Sequence, residues 1–248
     1  MTPLDIAPGL AAIRAAIAEA CARAGRDPAE VTVVAVTKGH PVERARAALA
    51  AGLADLGESR AQELVPKART LAEERAATPG GEGPRWHFIG HLQRNKVAGV
   101  LPLLHCLHSL DSERLLAAIK REHTSLVEGA GEPLGGAATA PLPCYLEVNV
   151  AGDPAKYGVP PEGLPALLQA AQASEAVAVR GLMTVAPEAD NAEAARPHFR
   201  ALAGLAREHG LAGLSMGMTG DYRVAIEEGA TVVRIGRALL GERPTGAA

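Results

Sequence analysis

Lys38 is the residue on which a chemical reading of this chain can be built. It ends the run Val31-Thr-Val-Val-Ala-Val-Thr37, which is rich in β-branched side chains and reads as a fully buried strand of the parallel type. Gly39, His40 and Pro41 follow at once. Side chains alternate along a strand, so Lys38 shares a face with Val34 and Val36. A cation at the end of an apolar row is costly unless it has a partner or a task. Partial burial lowers a lysine's pKa and frees the amine, which is how proteins hold aldehydes as Schiff bases. A lysine that merely carries its charge out to water from a strand end would leave the same trace. That plainer reading needs less, so the rest of the chain has to decide.

Two further stretches have the chemistry of an anion site. Ser215-Met-Gly-Met-Thr219-Gly220-Asp221 runs directly into a helix, and Ile235-Gly236-Arg237 opens another. Glycine, a hydroxyl and free backbone N–H groups at a helix start suit a phosphate, although ordinary turns and caps use the same residues. Arg234 has the parity of Val232 and should point inward. A buried arginine needs an acceptor. Either Glu58 supplies it, in a structural ion pair, or a ligand's ring nitrogen does, and that nitrogen would then stay unprotonated. His87 and His91 share one strand parity, but no third metal ligand is apparent, and the two read as satisfied structural histidines. No H-E-x-x-H occurs.

These residues need a frame. Leu10, Ile13, Ile17, Cys21 and Ala24 recur at helical spacing, and Gly25 stops that helix. After the lysine strand, Pro41 opens a helix that Gly52 closes. The pattern then predicts strands at 54–59, 86–91, 104–110, 144–150, 179–185, 213–219 and 231–237. Helices are expected between them, at 60–76, at 92–100, after an Asp111 cap, at 162–174, up to His209 after a capping box of Asp190 and Glu193, and after an Asp221 cap. Loops are expected over 78–84 and 129–143 by composition. Eight strands alternating with helices in 248 residues favour one closed (β/α)₈ TIM barrel with an extra N-terminal helix. The barrel proper is expected over about 31–243 of a single domain. No G-x-G-x-x-G follows the first strand, which counts against a dinucleotide fold. Active sites of such barrels lie where strands end, and Lys38, Glu58, Ser59, His91, Ser109, Asn149, Thr184, Thr219 and Arg234 fall at or near those ends.

Composition narrows the partners. The net charge of −3 gives no sign of nucleic acid or of an anionic membrane. No apolar run reaches the roughly 18 residues of a membrane span, and Met1-Thr-Pro-Leu-Asp5 does not open as a signal peptide. Cys21, Cys106 and Cys144 form no C-x-x-C and are expected to be reduced and buried, as in a cytoplasmic protein.

Taken together, Val34-Ala-Val-Thr-Lys38, Gly57-Glu-Ser-Arg-Ala-Gln-Glu63, Trp86-His-Phe-Ile-Gly-His-Leu-Gln-Arg-Asn-Lys96, His108-Ser-Leu-Asp111, Glu147-Val-Asn-Val150, Gly181-Leu-Met-Thr184, Leu214-Ser-Met-Gly-Met-Thr219 with Asp221, and Val233-Arg-Ile-Gly236 resemble the pyridoxal phosphate homeostasis family, also called PROSC-type. The stretches run in order across nearly the whole chain. The resemblance implies a barrel similar to the N-terminal domain of alanine racemase, with pyridoxal 5′-phosphate (PLP) held by Lys38. It implies that Arg234 faces the pyridine nitrogen, that Asn149 and Met183 line the ring, and that Thr219, Gly236 and Arg237 hold the phosphate, with Ser59 and Ser215 in the same site. Lys67 and Lys156 match family lysines associated with PLP transfer. Three positions depart from the family pattern: Ser59 stands for Asn, Thr219 for Ser and Arg237 for Thr.

The function implied is a cytoplasmic carrier and buffer of PLP, a monomer without strong catalysis of its own, whose partners are PLP and apo PLP-dependent enzymes as recipients. A PLP-dependent racemase, a lysine aldolase without cofactor and a PLP-sensing interaction protein remain as alternatives. Racemisation needs an acid and a base on opposite faces of the substrate. Tyr145, expected at the start of a strand, and Tyr157 and Tyr222, expected in loops, offer no evident second acid.

Overall fold

The β-branched run that carries Lys38 pairs on both sides, and that double pairing closes a barrel. In the computed structural model, which describes residues 6–77, 83–129 and 140–243, the strands are β1 (Thr32–Val36), β2 (Asp55–Glu58), β3 (Arg85–Phe88), β4 (Leu104–Leu110), β5 (Leu142–Glu147), β6 (Val177–Met183), β7 (Gly213–Met218) and β8 (Val232–Ile235). All pairings are parallel and follow chain order, and β8 returns to β1 with Val34 opposite Arg234. The expected (β/α)₈ barrel is therefore the fold. Its helices are α1 (Ala7–Ala24), α2 (Val42–Ala50), α3 (Ala61–Ala77), α4 (Val97–Val100), α5 (Glu113–Glu128), α6 (Leu164–Gln172), α7 (Arg196–Glu208), α8 (Tyr222–Glu227) and α9 (Arg237–Leu240).

Helix α1 precedes the first barrel unit and lies against α8 and α9. It buries Leu10, Ile13 and Ile17 and ends at Gly25, whose φ of 64° permits the left-handed cap. Arg26 then donates to the carbonyls of Ile226 and Ala230, each at 2.9 Å, tying the helix to the turn before β8.

Several local expectations shift. Lys38 lies in a turn two residues beyond β1, and Ser112, not Asp111, caps α5, its hydroxyl accepting from the Leu115 N–H at 3.3 Å. Asp111 instead turns to His91 at 3.0 Å. The helix expected at 92–100 is broken into short 3₁₀ and α turns. Asn191, not Asp190, accepts the Glu193 N–H, in a 3₁₀ turn before α7. Asp221 gives α8 no side-chain cap; it bends back to accept the Met218 N–H at 2.6 Å. Strands β5 and β6 begin and end earlier than apolar periodicity indicates, because pairing with a neighbour, not side-chain type, sets a strand's limits. Most of the loops expected over 78–84 and 129–143 lies outside the described residues.

Apolar packing separates into two clusters. The larger lies between strands and helices; the smaller, Val34, Cys106, Tyr145, Met183 and Val232, lies inside the barrel. Its few members reflect an interior shared with polar side chains and with glycines. A Cβ on Gly181 would fall onto the backbone of Gly213 in the next strand, so this contact of β6 with β7 excludes any side chain. Gly181→Ala is expected to cost more than the roughly 1–3 kcal/mol of ordinary overpacking, measured as a lower urea midpoint. Unchanged stability would show that the two strands can separate freely.

Candidate functional site

The Lys38 turn is clamped from beneath. Glu58, at the end of β2 and fully buried, accepts from the Thr37 hydroxyl at 2.6 Å and from the Lys67 ammonium at 2.5 Å. Lys67, on α3, also donates to the Thr37 carbonyl at 2.8 Å. Glu63, one turn earlier on α3, accepts the Gly39 N–H at 2.5 Å. Gly39 has a φ of 71°, which lets the chain reverse directly after Lys38. Thr37 and Gly39 are thus fixed on either side of Lys38. Burial pushes the Lys38 amine below the ordinary lysine range, and Arg243, Arg234 and Arg60 push the same way. The result is a half-buried amine on a fixed turn, the condition for a nucleophilic lysine.

On the neighbouring strand β8 stands Arg234. It is buried and donates to the Ser215 carbonyl at 2.8 Å, the Ser215 hydroxyl at 2.7 Å and the Thr184 carbonyl at 2.9 Å. Burial brings its pKa down to about 10, with Glu147 and Asp221 opposing, so it remains a cation at neutral pH. The structural alternative for Arg234, an ion pair with Glu58, does not form, since Glu58 is committed to Lys67. Among the described residues Arg234 uses three hydrogen bonds, leaving two of its five N–H groups for a ligand.

The end of β5 supplies two unpartnered acceptors, Glu147 Oε2 and Asn149 Oδ1, both buried. Burial, with Asp111 adding to it, raises the Glu147 carboxyl to about 7. The Asn149 amide donates to the Asp153 carbonyl at 2.8 Å, which shapes the loop carrying Lys156 and Tyr157. Lys156 donates to the Val185 carbonyl at 3.2 Å, and Tyr157 stacks on His91 with ring centroids 4.0 Å apart. On the opposite rim, Gly217 has a φ of 92° and lies against α8, which turns the chain at Thr219. Gly236 precedes α9, and the Arg237 side chain, 70% exposed, points away toward Glu242.

Lys38, Ser59, Asn149, Thr219 and Gly236 therefore follow strand ends around one rim. Met183 lies in the apolar cluster beneath it. Ser215 sits a layer lower, its hydroxyl taken by Arg234 and His108. His87 and His91 do not converge: His87 contacts His108 at 2.8 Å inside the barrel, while His91 contacts Asp111. The buried group His87–Cys106–His108 and the group Asp55–His87–His105, whose His105 is exposed, are close enough for a metal, yet Asp55 bonds to His87 and His87 to His108. All three cysteines are free and buried. Tyr145 lies mid-strand, not at the start of β5, with its hydroxyl pushed up to about 12 by burial. Glu147, His108 and the clamp role of Lys67 were not singled out from the sequence. Strand parity could have found His108, two residues after Cys106 on β4.

The donor set fits a ring bearing an aldehyde, a basic nitrogen and an anion. The amine, the inward arginine N–H groups, the orphaned acceptors of β5 and two glycine turns surround one opening.

The family model for the alanine racemase N-terminal domain matches residues 9–244. The chain is 42% identical to the pyridoxal phosphate homeostasis protein of Deinococcus radiodurans, covering 92% of this chain and 98% of that one. It is 40% identical to the protein of that name from Pseudomonas aeruginosa, covering 98% and 97%. It resembles the structure of PipY from Synechococcus elongatus with PLP bound, at a TM-score of 0.77 and 30% identity, over 95% of this chain and 100% of that one. An alanine racemase from Clostridium difficile shares the fold at a TM-score of 0.68 and 13% identity, with 58% of its length covered.

Two outcomes follow from the electrostatics. Lys67→Met leaves Glu58 buried and unpaired, and is expected to cost about 3–5 kcal/mol; the double variant with Glu58→Gln should recover most of it in urea unfolding. A single-variant loss near zero would show that the clamp carries no stability. For Glu147 the folded-state pKa is raised from 4.5 to about 7. The folded chain therefore holds a proton in that window which the unfolded chain has released, and stability falls as pH rises through it. Glu147→Gln should raise the Tm of the cofactor-free protein most above about pH 7, with the gain shrinking toward pH 4.5; a gain independent of pH would refute the assignment.

Proposed function

The chain belongs to the pyridoxal phosphate homeostasis protein family, and from that premise we propose that it binds PLP at Lys38 and carries and buffers it, without strong catalysis of its own. The observation that carries this reading is the clamped Lys38 turn, with its lowered amine pKa, facing a buried Arg234 that retains free N–H groups. Bound PLP supplies an aldehyde that condenses reversibly with an amine. Lys38 Nζ is that amine. Arg234 can only donate, so it holds the ring nitrogen as an acceptor and keeps a proton off it. Asn149 and Met183 line the ring, Ser59 flanks it, and Ser215 braces Arg234. Thr219, Gly236 and Arg237 bind the phosphate through backbone N–H groups and the Thr219 hydroxyl. With its side chain directed outward, Arg237 contributes its N–H in place of the hydroxyl that the family residue would bring.

Lys156, which among the described residues bonds to a carbonyl alone, is the better placed of the two candidate transfer lysines; Lys67 is spent on Glu58 and Thr37. The tyrosines favour a carrier over a racemase. Tyr145 is held inside the barrel, Tyr222 is buried at the start of α8, and Tyr157 is stacked on His91. We assign the protein to the cytoplasm as a monomer, with apo PLP-dependent enzymes as recipients. Among the described residues no helix is long and apolar enough to cross a membrane.

The test is borohydride reduction of the protein with PLP, followed by peptide mapping. The adduct should map to Lys38 and disappear in Lys38→Ala, and pyridoxal should bind at least about a hundredfold more weakly than PLP because the charge-assisted phosphate bonds are missing. An adduct mainly on Lys67 or Lys156 would overturn the site. Turnover of L- to D-amino acids on the order of 1–10³ per second, lost in Lys38→Ala, would replace the carrier by a racemase.

A further inference from the structure

Beneath the mouth, the barrel interior contains an unbroken file of side-chain hydrogen bonds drawn from five strands. Arg234 Nη1 donates to Ser215 Oγ at 2.7 Å, and Ser215 Oγ contacts His108 Nδ1 at 2.7 Å. His108 Nε2 contacts His87 Nδ1 at 2.8 Å, and His87 Nε2 contacts Asp55 Oδ1 at 2.9 Å. Asp55 is held in turn by a two-pronged pair from Arg85, at 2.8 and 2.7 Å, where β2 and β3 begin. Ser215 and His108 are fully buried, and His87 nearly so.

The two ends decide where each proton lies. A guanidinium only donates, so Ser215 Oγ must accept from Arg234. Burial works against the Asp55 carboxylate, but the bonds from Arg85 and His87 outweigh it and hold its pKa below the usual range. Asp55 therefore only accepts, and His87 must carry its proton on Nε2. A one-way file then needs His87 Nδ1 bare, with His108 donating to it from Nε2. Burial, reinforced by Arg234, pushes His108 well below the ordinary imidazole range, so it is neutral, and with its proton on Nε2 its Nδ1 is bare. The Ser215 hydroxyl proton has one place left to go, His108 Nδ1. In that arrangement all donors point from Arg234 toward Asp55, and each imidazole carries its proton on Nε2. The same contacts answer the metal alternative: His87 Nδ1 and His108 Nε2 are bonded to each other, and burial keeps the Cys106 thiol protonated.

We propose that Ser215, His108, His87 and Asp55 are positioning residues, a one-way file that locks the Nη1 face of Arg234 and so sets the hydrogen bond this arginine offers to a ligand's ring nitrogen. The Ser215 carbonyl and hydroxyl take Nη1, the Thr184 carbonyl takes one proton of Nη2, and what remains of the fork is fixed in direction. Aligned bonds of this kind polarise one another, so a change at Asp55 reaches Arg234 without moving the backbone. The inference rests on Arg234 facing the cofactor ring, as proposed above.

The file is tested first without cofactor, by long-range ¹H–¹⁵N NMR of the labelled full chain. His108 and His87 should both be neutral with the proton on Nε2. A proton on Nδ1 of either histidine, or a charge on either, overturns the file whatever the protein binds. The second arm uses PLP. Ser215→Ala should move the absorption band of the Lys38-bound cofactor and weaken binding about tenfold, the loss of one buried charge-assisted bond. Ser215→Thr, which keeps the hydroxyl, should restore both. Asp55→Asn should move the band in the same direction by less. An unshifted band and unchanged affinity in Ser215→Ala would overturn the positioning role. Absence of any reducible Lys38 adduct in the unsubstituted protein would instead defeat the cofactor reading, and the NMR result would still judge the file.

Discussion

Pairing of the last strand with the first is the constraint from which the site derives. Residues 32–35 of β1 lie beside 232–235 of β8, with Val34 opposite Arg234. That register brings an arginine near the end of the chain to within a few residues' reach of a lysine near its beginning. A parallel barrel gains this only by closing, since an open sheet would leave β1 and β8 as separate edges with unpaired backbone groups. α1 supports the closure from outside through the bonds of Arg26 to the turn before β8.

Closure also makes the interior polar at a tolerable cost. An isolated charge there would cost several kcal/mol, and Glu58, Lys67, Arg234 and Asp55 are all largely withdrawn from water. Each has partners in a different element: Glu58 with α3, Arg234 with β6 and β7, Asp55 with β3. The polar groups therefore cross-link the strands while holding the mouth. Small residues balance the volume, for Gly181 and Gly213 admit no Cβ where β6 and β7 approach.

The two sides of the mouth are prepared differently. On the Lys38 side, backbone groups on both flanks of the lysine are bonded, and the amine's pKa is lowered. On the Glu147 side, a carboxyl near neutrality and the Asn149 oxygen lie buried without partners. Orphaned buried acceptors are expensive in a folded chain unless a ligand engages them. Such a pattern fits the binding site proposed above.

Much of this was legible in the residues themselves. Alternating β-branched runs and helical periods specify eight strand–helix units, because those periods reflect which face of each element is buried. Lys38, Arg234 and the glycine turns could be placed at strand ends by position alone. Partners could not. Glu58 was free on paper to pair with Arg234, and only the packing of α3 on β2 gives it Lys67 instead. Ser112 displaces Asp111 as the α5 cap because His91, distant in sequence, takes the aspartate. His108, Glu147 and the buried file depend on which inward side chains meet across the barrel, and that is set by strand register, with its shifts at β3–β4 and β7–β8. Periodicity along the chain determined the elements and their inward faces; long-range closure decided which charges and protons face one another, because those contacts join residues that share no local pattern.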